Sequence, residues 1–333
     1  MGIIMAVLVT GGAGYIGSHM VLALTDAGEE TVVLDNLSTG FAWAVSPQAK
    51  LVRGDIGDEE LVMTLVKTHK IDSIVHFAGS IVVPESVSDP LGYYLNNTVK
   101  SRALMHAAVK SHVKNFIFSS TAAVYGNPKS LPVFETDEPA PISPYGTSKL
   151  MTEMMLRDSH IAYGLNYIAL RYFNVAGADP KGRTGQSTPR ATHLIKVACQ
   201  TALGQRAGMD VFGTDYDTPD GTCIRDYIHV SDLIAAHMDA LSHLRRGGDS
   251  GIFNCGYGKG YSVLDVIGAV ERANGAPVKH TLGPRRAGDP AGIVAGAEKV
   301  RKILGWQPQY NDLDVIVKSA LSWERHLERR NAN

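Results

Sequence analysis

Cysteine is scarce in this sequence, and its spacing suits no cross-linked framework. The 333 residues include three cysteines, Cys199, Cys223 and Cys255, which are odd in number, far apart and without a C-x-x-C pair. This set excludes a disulfide scaffold and a structural zinc site, because both depend on cysteines at characteristic spacings. It indicates a reducing, cytoplasmic environment.

The sequence also lacks an excess of charge of either sign and any long apolar run. Lysine and arginine number 32 against 33 aspartates and glutamates, so the formal net charge is -1. That balance argues against nucleic acid as a partner, which would favour a strongly basic face. No apolar run reaches the roughly 18 residues that span a bilayer, and the apolar N-terminus leads straight into a glycine cluster, as a first β-strand does. We therefore expect neither nucleic acid nor a membrane as a partner.

The sequence alternates between short apolar segments, which predict strands, and amphipathic segments, which predict helices. Hydrophobic residues make up 44% of the chain, enough for a buried core. The predicted strands are Ile4–Val9, Thr31–Asp35, Lys50–Arg53, Ser73–His76, Asn115–Ser119 and Asn166–Arg171. The predicted helices are Tyr15–Ala27, Glu59–His69, Leu91–Ser111 and Tyr145–Tyr163. Strands joined by helical crossovers predict an α/β fold with a doubly wound, Rossmann-type parallel sheet.

The pattern changes after about residue 174, where loops rich in glycine and proline separate shorter elements. This change predicts a nucleotide-binding domain over 1–174 and a smaller, mainly substrate-binding C-terminal domain over 175–333. Because such chains often return to the first domain, we expect a segment near 226–255 to rejoin it.

A glycine-rich turn follows the first predicted strand and opens the first helix, with the sequence Thr10-Gly-Gly-Ala-Gly-Tyr-Ile-Gly17. Glycines let the backbone approach a pyrophosphate, and the helix N-terminus offers free N–H groups to it. Asp35 ends the next strand, where an acid accepts hydrogen bonds from the adenosine ribose. No lysine or arginine lies between Asp35 and Ala49, so the pattern predicts NAD rather than NADP.

Tyr145 and Lys149 are four residues apart and share one face of a predicted helix. A phenol acting as a base near neutral pH needs its pKa lowered by roughly three units, and a neighbouring ammonium group stabilises the phenolate. A second Tyr-x-x-x-Lys pair, Tyr125 with Lys129, contains Gly126 and Pro128, which break a helix. The later pair is therefore the catalytic candidate.

A partner hydroxyl is expected at the C-terminal end of a central strand, where ligands of such sheets bind. The segment Asn115-Phe-Ile-Phe-Ser-Ser-Thr121 supplies one in Thr121.

With these pieces in place, the sequence resembles the extended short-chain dehydrogenase/reductase family and, within it, the UDP-glucose (UDP-galactose) 4-epimerases. The resemblance covers nearly the whole chain. Its ordered motifs include Leu34-Asp-Asn-Leu37, Gly54-Asp-Ile56, His76-Phe-Ala-Gly79, Phe118-Ser-Ser-Thr-Ala-Ala-Val-Tyr-Gly126, Ser143-Pro-Tyr-Gly-Thr-Ser-Lys149, Leu170-Arg-Tyr-Phe-Asn174, Phe212-Gly-Thr-Asp215, Ile224-Arg-Asp-Tyr-Ile-His-Val230 and Pro284-Arg-Arg-Ala-Gly-Asp289.

The resemblance implies three sets of site residues. The NAD pocket would be lined by Gly11, Gly14, Tyr15, Ile16, Gly17, Asp35, Asn36, Asp55, Ile56, Phe77, Ala78, Gly79, Asn96, Lys149 and Tyr172. The chemistry would be performed by Thr121, Tyr145 and Lys149. The nucleotide sugar would be held by Thr121, Tyr145, Asn174, Leu194, Phe212, Arg225, Arg286 and Asp289, and the two arginines suit a diphosphate because guanidinium donors match phosphate oxygens.

The implied activity is the interconversion of UDP-galactose and UDP-glucose through a transient 4-keto sugar, a step of galactose metabolism. Tyr145 would be the base, with Lys149 and Thr121 assisting. The resemblance also implies a homodimer formed through the helices Leu91–Ser111 and Tyr145–Tyr163. Their apolar stripes include Leu104, Ala107, Ala108, Met151, Met154 and Met155.

Other activities stay open at this stage. A 4-epimerase of another UDP-sugar (an N-acetylhexosamine, a pentose or glucuronate) would share these motifs. A nucleotide-sugar 4,6-dehydratase or decarboxylase shares the scaffold, but dehydratases carry acids after the threonine, where this chain has Ala122 and Ala123. An NAD-sensing regulator need not keep the tyrosine, lysine and hydroxyl. The 12 histidines form no HxH or HExxH motif, so we predict no metal site.

The chain departs from the family pattern at Thr121, at Ile81 and in the segment Pro189-Arg-Ala-Thr-His-Leu194, which matches the family only loosely. Thr121 stands where a serine is frequent and keeps the hydroxyl. Ile81 replaces a lysine that some members carry, which removes one polar contact. Ile293 occupies a position that helps to set the room around the sugar, and its small size predicts that N-acetylhexosamines are admitted.

Overall fold

The computed structural model describes residues 5–188, 191–286 and 289–332. The strands of this part of the chain are β1 (Ala6–Thr10), β2 (Glu30–Asp35), β3 (Lys50–Arg53), β4 (Ile71–His76), β5 (Asn115–Thr121), β6 (Asn166–Tyr172), β7 (Asn174–Ala176), β8 (Met209–Phe212), β9 (Ile224–His229), β10 (Gly251–Cys255), β11 (Gly260–Ser262), β12 (His280–Gly283) and β13 (Gly292–Ile293). Its α-helices are α1 (Tyr15–Asp26), α2 (Glu59–His69), α3 (Val83–Ser88), α4 (Pro90–Tyr93), α5 (Lys100–Lys110), α6 (Pro144–Tyr163), α7 (Leu194–Ala202), α8 (Val230–Arg245), α9 (Val263–Asn274) and α10 (Leu313–Ala332).

Seven strands form one parallel sheet in the order β10-β6-β5-β4-β1-β2-β3. The predicted fold class is confirmed, and the six predicted strands lie within two residues of the observed ends. Ile4, the first residue of the first predicted strand, lies outside the described residues.

Helices cover both faces of the sheet. Successive side chains of each strand point to opposite faces, so both sets of side chains are buried. From β1, Val7 and Val9 pack with α1 and α8 in one apolar cluster. Ala6 and Leu8 pack with α2, α5 and α6 in the other. This double burial explains why the strands read as continuous apolar runs.

The order of the strands locates the binding crevice. The chain runs from β1 outward to β2 and β3, then returns to place β4 on the other side of β1. Ligands of such sheets bind at this reversal, outside the carboxyl ends of the strands. The segments that follow β1, β4 and β5 therefore face one crevice.

The later part of the chain forms smaller layers. Strand β9 pairs with β7, β11 and β13, and β8 pairs with β12. Helices α7, α9 and α10 share a third apolar cluster with these strands. Strand β10, by contrast, lies at the edge of the seven-stranded sheet.

One predicted helix is interrupted. The segment predicted as Leu91–Ser111 contains α4, a π-helical turn at Tyr94–Val99 and then α5. A π-helical turn accommodates an extra residue, which an apolar period does not reveal. Among the described residues, no helix is both long and apolar enough to cross a membrane.

The predicted apolar stripe for a dimer needs a correction. Leu104, Ala107 and Ala108 are fully buried against the sheet, because their face of α5 closes the core. Met151 and Met154 of the predicted stripe are exposed, as are Leu91, Leu95 and Val99 of the preceding segment, and Met155 is half-buried.

Candidate active site

The glycine-rich turn is a tight backbone structure that tolerates no side chain at two positions. Gly11 has a φ of +70°, and a Cβ there would lie 2.6 Å from the backbone nitrogen of Ala78. A Cβ on Gly17 would lie 2.1 Å from the carbonyl oxygen of Gly11. Both distances are shorter than real contacts allow. Glycine at these positions lets the end of β1 approach both α1 and the segment after β4.

The helix that follows this turn begins with free N–H groups. Gly14 is the N-cap of α1, and within the described chain no side chain caps it. The first N–H groups of a helix have no partner inside the helix, and they attract anions. A recess with about 200 Å³ of empty volume lies here, lined by Ala13, Gly14, Tyr15, Ser18, Thr39, Phe41, Ala44, Gly185, Ser187 and Thr188.

Asp35 lies beside the turn, as the sequence predicts. It is buried at the end of β2, where Oδ2 accepts a hydrogen bond of 2.9 Å from the N–H of Ala13. Its Oδ1 accepts one of 2.8 Å from the N–H of Leu37. These bonds fix the carboxylate next to the glycines. Asn36 is exposed and accepts a bond from the N–H of Ser38.

The other residues expected at the cofactor follow the strands of the same sheet. Phe77, Ala78 and Gly79 come directly after β4, Asp55 and Ile56 follow β3, and Tyr172 ends β6. Asn96 lies in the π-helical turn and donates a 3.0 Å bond to Ser80 Oγ. Ile16 is half-buried in α1, and the hydroxyl of Tyr15 donates a 2.7 Å bond to the carbonyl of Gly177.

Asp55 is held by a cation from another element. Lys100 Nζ lies 2.5 Å from its Oδ2, and the N–H of Gly57 donates to its Oδ1. Burial acts to raise the pKa of Asp55, but these hydrogen bonds outweigh it and lower the pKa.

The residues around the glycine-rich turn fit a bound dinucleotide. The free N–H groups at the start of α1, the glycine backbone without side chains and the buried carboxylate of Asp35 lie together at this turn.

Tyr145 lies at the start of α6, where local sequence fixes the helix entry. Ser143 is the N-cap and accepts a bond of 3.2 Å from the N–H of Gly146, and Pro144 is the first helical residue, its favoured position. Tyr145 is buried. Burial raises the pKa of its phenol, while a hydrogen bond with Thr121 acts to lower it. The chain alone therefore does not produce the low pKa that a base requires.

Lys149 lies one turn further along α6 and is also buried. Its Nζ donates a 3.1 Å hydrogen bond to the carbonyl of Ser119 and lies 4.8 Å from the centre of the Phe118 ring. Burial lowers the pKa of Lys149 to about 8, and the charge of Glu153 opposes that shift. A lysine with this pKa changes its charge close to neutral pH.

Thr121 is the last residue of β5 and is buried. Its Oγ1 accepts a 3.1 Å bond from the N–H of Ala123, which starts a short 3₁₀ helix over Ala122–Tyr125. The chain leaves helical geometry at Gly126, whose φ is +62°, so the earlier Tyr-x-x-x-Lys pair does not lie on an α-helix. Thr121, Tyr145 and Lys149 lie together at the carboxyl end of β5, an inner strand of the sheet.

The residues expected at the nucleotide sugar form a separate group. Arg225 Nη2 lies 3.4 Å from Asp289 Oδ1, and Arg286 Nε lies 3.5 Å from Asp289 Oδ2. The Arg286 guanidinium also covers the Phe212 ring at 4.3 Å. In the Pro284–Asp289 motif, residues 287 and 288 lie outside the described residues. Buried Ile293 pairs with Arg225 across β13 and β9.

The last two expected sugar contacts begin elements of their own. Asn174 is the first residue of β7, two residues after Tyr172, and Leu194 is the first residue of α7. Both are half-buried. Within the part of the chain that the structure describes, neither side chain forms a hydrogen bond to Arg225, Arg286 or Asp289.

Some polar side chains of this edge are not identified by sequence patterns. Asn97 accepts a 2.7 Å bond from the N–H of Ser80, and donates to the Ser80 carbonyl and to Ser148 Oγ. It thereby joins the segment after β4 to α6. An Asn-Asn pair inside a predicted helix is a weak signal of such a role, since asparagine disfavours helix interiors. Lys100 has no such signal, because its partner is 45 residues away.

The chain is similar to known proteins over most of its length. Residues 7–256 match the model of the NAD dependent epimerase/dehydratase family. The UDP-glucose 4-epimerase of Azospirillum brasilense is 59% identical over 323 residues, which cover 97% of this chain and 93% of that protein.

Solved structures of similar chains have the same fold. The UDP-glucose 4-epimerase of Brucella ovis, in complex with NAD, is 43% identical with a TM-score of 0.93 and covers 96% of this chain and 98% of its own. The UDP-Glc/GlcNAc 4-epimerase of Campylobacter jejuni is 48% identical with a TM-score of 0.85, at 97% and 99% coverage. On the match of 7–256 and these identities, the chain belongs to the NAD dependent epimerase/dehydratase family.

Proposed function

We propose that this protein interconverts UDP-galactose and UDP-glucose by 4-epimerisation, with NAD as a cofactor that each turnover restores. One observation carries the proposal: a buried tyrosine, lysine and threonine meet at the crevice of a family member whose relatives bear this activity in their names. The uncapped start of α1, Asp35 and the segments after β3 and β4 would hold the NAD.

Proton transfer at the sugar is assigned to Tyr145. Its phenolate oxygen would take the proton of the 4′-hydroxyl, and Thr121 would hydrogen-bond the same oxygen. Lys149 would hold the nicotinamide ribose and place positive charge near the phenol. When bound, NAD accepts the hydride of C4′ and returns it, and its charged ring favours the phenolate. Burial of all three side chains excludes water, which strengthens these interactions.

The nucleotide part of the substrate would be held by the arginine group. Arg225 and Arg286 carry planar donors suited to the diphosphate oxygens, and Asp289 orients both guanidinium groups. Asn174, Leu194 and Phe212 would complete the pocket. The diphosphate would stay anchored while the 4-keto sugar turns, so that the hydride returns to the opposite face.

A wider sugar range is the second candidate. The Campylobacter jejuni protein is named for both UDP-Glc and GlcNAc, and Ile293, next to Arg225 in register, takes less room than an aromatic side chain. We therefore include UDP-N-acetylhexosamines among the proposed substrates. Dehydration is disfavoured because Ala122 and Ala123, which follow Thr121, have no proton to transfer.

The same proposal extends to organisation and assembly. Residues 1–174, together with α8 and β10, would form the NAD domain, and most of 175–333 the nucleotide-sugar domain, which the sheet position of β10 supports. The exposed Leu91, Leu95 and Val99 with Met151 and Met154 would cover the same residues of a second copy in a homodimer. The three cysteines are buried and unpaired, which supports a cytosolic location.

A coupled assay tests the function. The purified protein receives UDP-galactose, first without and then with added NAD, and UDP-glucose dehydrogenase reports the UDP-glucose formed. We expect steady formation of UDP-glucose with no net reduction of NAD by the epimerase itself. The same assay format with UDP-N-acetylgalactosamine, read by chromatography, tests the wider range. A pure, folded protein that forms no UDP-glucose under either condition would contradict the proposal.

A further inference from the structure

A buried ion pair lies next to the reacting groups. Glu153 is on α6, one turn beyond Lys149, so the two side chains share a helix face. Arg171 of β6 binds it with two donors: Nη2 lies 2.6 Å from Oε2 and Nε lies 3.0 Å from Oε1. Both side chains are almost completely buried, at 3% and 2% exposure.

Glu153 also holds the strand that carries Thr121. The hydroxyl of Ser120 donates a 2.5 Å hydrogen bond to Glu153 Oε1. Ser120 and Arg171 are register partners on β5 and β6, and the next pair is Thr121 with Tyr172. One carboxylate therefore connects α6 to the penultimate residues of two strands, next to Thr121 and Tyr172.

Stability alone is a poor reason for such a pair. Removing two charges from water is costly, and buried ion pairs replaced by apolar side chains of similar volume often leave a protein equally stable. A second effect is available here because the carboxylate lies near a buried ammonium group. Burial lowers the pKa of Lys149, and the charge of Glu153 acts in the opposite direction.

The other ionisable groups around Lys149 are neutral near pH 7. Burial, with Lys149 itself, lowers the pKa of His76 on β4 to about 3. Burial lowers that of His237 on α8 to about 4. The pKa values of Tyr145 and Tyr172 are raised. In the described chain, the charge that acts on the pKa of Lys149 is that of Glu153, and Arg171 binds this carboxylate.

We propose that Glu153, held by Arg171, is a positioning residue for the reaction: it fixes the helix of Lys149 against the strand of Thr121 and supplies the negative charge that keeps Lys149 protonated. The role in turnover rests on the proposed function. The effect on Lys149 does not, and it is measured separately.

The direct test is an NMR titration of Lys149 in the full-length protein. Lysine labelled with ¹³C at Cε reports the charge of each ammonium group, and the Lys149 signal is the one lost in Lys149→Arg. The titration is made in the wild type, in Glu153→Gln, and in the double variant Glu153→Gln/Arg171→Met. Thermal unfolding and circular dichroism establish that each variant is folded.

We expect the midpoint of Lys149 in Glu153→Gln to fall by about one pH unit or more, as loss of a nearby opposite charge requires. In the double variant the midpoint falls less, because the unpaired positive charge of Arg171 is removed as well. The double variant removes both charges of the Glu153–Arg171 pair, so neither partner is left buried without the other. It decides the test by itself if the single variant does not fold. Its midpoint must still lie below that of the wild type.

The chain offers a matched control in another buried ion pair, Lys196 with Glu324, whose side chains are 4% and 5% exposed. Glu324→Gln should lower the unfolding temperature in the same way and leave the Lys149 midpoint in place. A Lys149 midpoint at the wild-type value in folded Glu153→Gln, or in the double variant, overturns the proposal. An equal shift in Glu324→Gln overturns it too.

Turnover supplies a second readout. The alkaline limb of the pH–rate profile is expected to move to lower pH in Glu153→Gln and part of the way back in the double variant. A loss of kcat with no movement of this limb would leave only a structural role and overturn the proposal. If the wild type forms no UDP-glucose, the proposed function fails, whereas the NMR midpoints still decide the inference.

Discussion

The Lys149 ammonium group donates a 3.1 Å hydrogen bond to the carbonyl oxygen of Ser119, two residues before Thr121. This bond connects the helix of the Tyr-x-x-x-Lys pair to the strand that carries the proposed catalytic hydroxyl. Both sit at the edge of the sheet where the glycine turn begins α1. The position of the Lys149 ammonium group therefore depends on the backbone of β5.

Activity should decline at alkaline pH as Lys149 loses its proton. Burial lowers the pKa of this lysine to about 8, so the ammonium form dominates below that pH and disappears above it. Because the proposed role of Lys149 requires its positive charge, we expect kcat/KM to fall as the pH rises through about 8. Rates measured from about pH 6 to pH 10 in the coupled assay test this.

The control for that profile is Lys149→Arg, since arginine keeps its charge throughout this range. Its kcat should be lower, because the guanidinium does not fit the lysine site, but the alkaline decline should be absent. A decline that persists unchanged in this variant would assign the limb to another group.

We expect kcat to depend on the hydroxyl group of Thr121 and not on its methyl group. Thr121→Ser keeps the oxygen that bonds Tyr145 and accepts from the N–H of Ala123, so its kcat should stay within a few-fold of the wild type. Thr121→Val keeps the shape and lacks the hydroxyl, and we expect a loss of about 100-fold in kcat. Steady-state kinetics of the pair separate the two effects. Equal rates for Ser and Val would exclude the hydroxyl from the reaction.

Gly17 should be intolerant of any side chain. A Cβ there would lie 2.1 Å from the carbonyl oxygen of Gly11, so Gly17→Ala must displace the turn or α1. We expect a strong loss of NAD content, measured by absorbance after the protein is denatured, and a lower unfolding temperature.

Gly268 provides the comparison for this substitution. It lies inside α9, and a Cβ there would meet nothing nearer than the end of the Arg272 side chain at 3.5 Å. Gly268→Ala should retain NAD and stabilise the fold by about 0.5–1 kcal/mol, the usual gain for alanine in a helix. Similar NAD loss in both variants would show that the turn geometry is not the cause.

The sequence predicted the fold more completely than it predicted the contacts within the candidate site. The parallel sheet, the glycine turn and the α6 pair follow from local signals: double burial gives continuous apolar strands, and backbone approach demands glycine. The prediction that Leu104 lines a dimer interface was wrong, because an amphipathic period identifies an apolar face without showing which element packs against it. The π-helical turn was missed for a similar reason.

Side-chain pairs between residues that are far apart in the chain could not be predicted from the sequence. Glu153 lies four residues after Lys149, so its place on that face could be predicted, but its partners Arg171 and Ser120 come from separate strands. The direction of the Tyr145 pKa also depends on burial, which only the assembled fold determines. Pairs of this kind are set by topology and have no local pattern.

The proposed homodimer should depend on the exposed apolar surface of α4, the π-helical turn and α6. Leu91 is 79% exposed, and Leu91→Glu with Val99→Glu would place charges inside the interface. We expect light scattering at micromolar concentration to give about twice 35.8 kDa for the wild type and a shift towards the monomer in the double variant. Ile161→Glu, at an exposed site nearer the end of α6, is the matched change. A monomeric wild type would contradict the assembly.

The central claim is that the phenol of Tyr145 takes and returns the proton of the sugar hydroxyl. The most direct measurement is kcat of Tyr145→Phe in the UDP-galactose assay, beside Tyr125→Phe, which changes the other Tyr-x-x-x-Lys tyrosine. We predict a loss of about 1,000-fold or more in Tyr145→Phe with NAD still bound. Tyr125→Phe loses a buried bond to Asn254 and some stability, yet keeps near-normal turnover. Normal turnover in folded, NAD-loaded Tyr145→Phe would contradict the account.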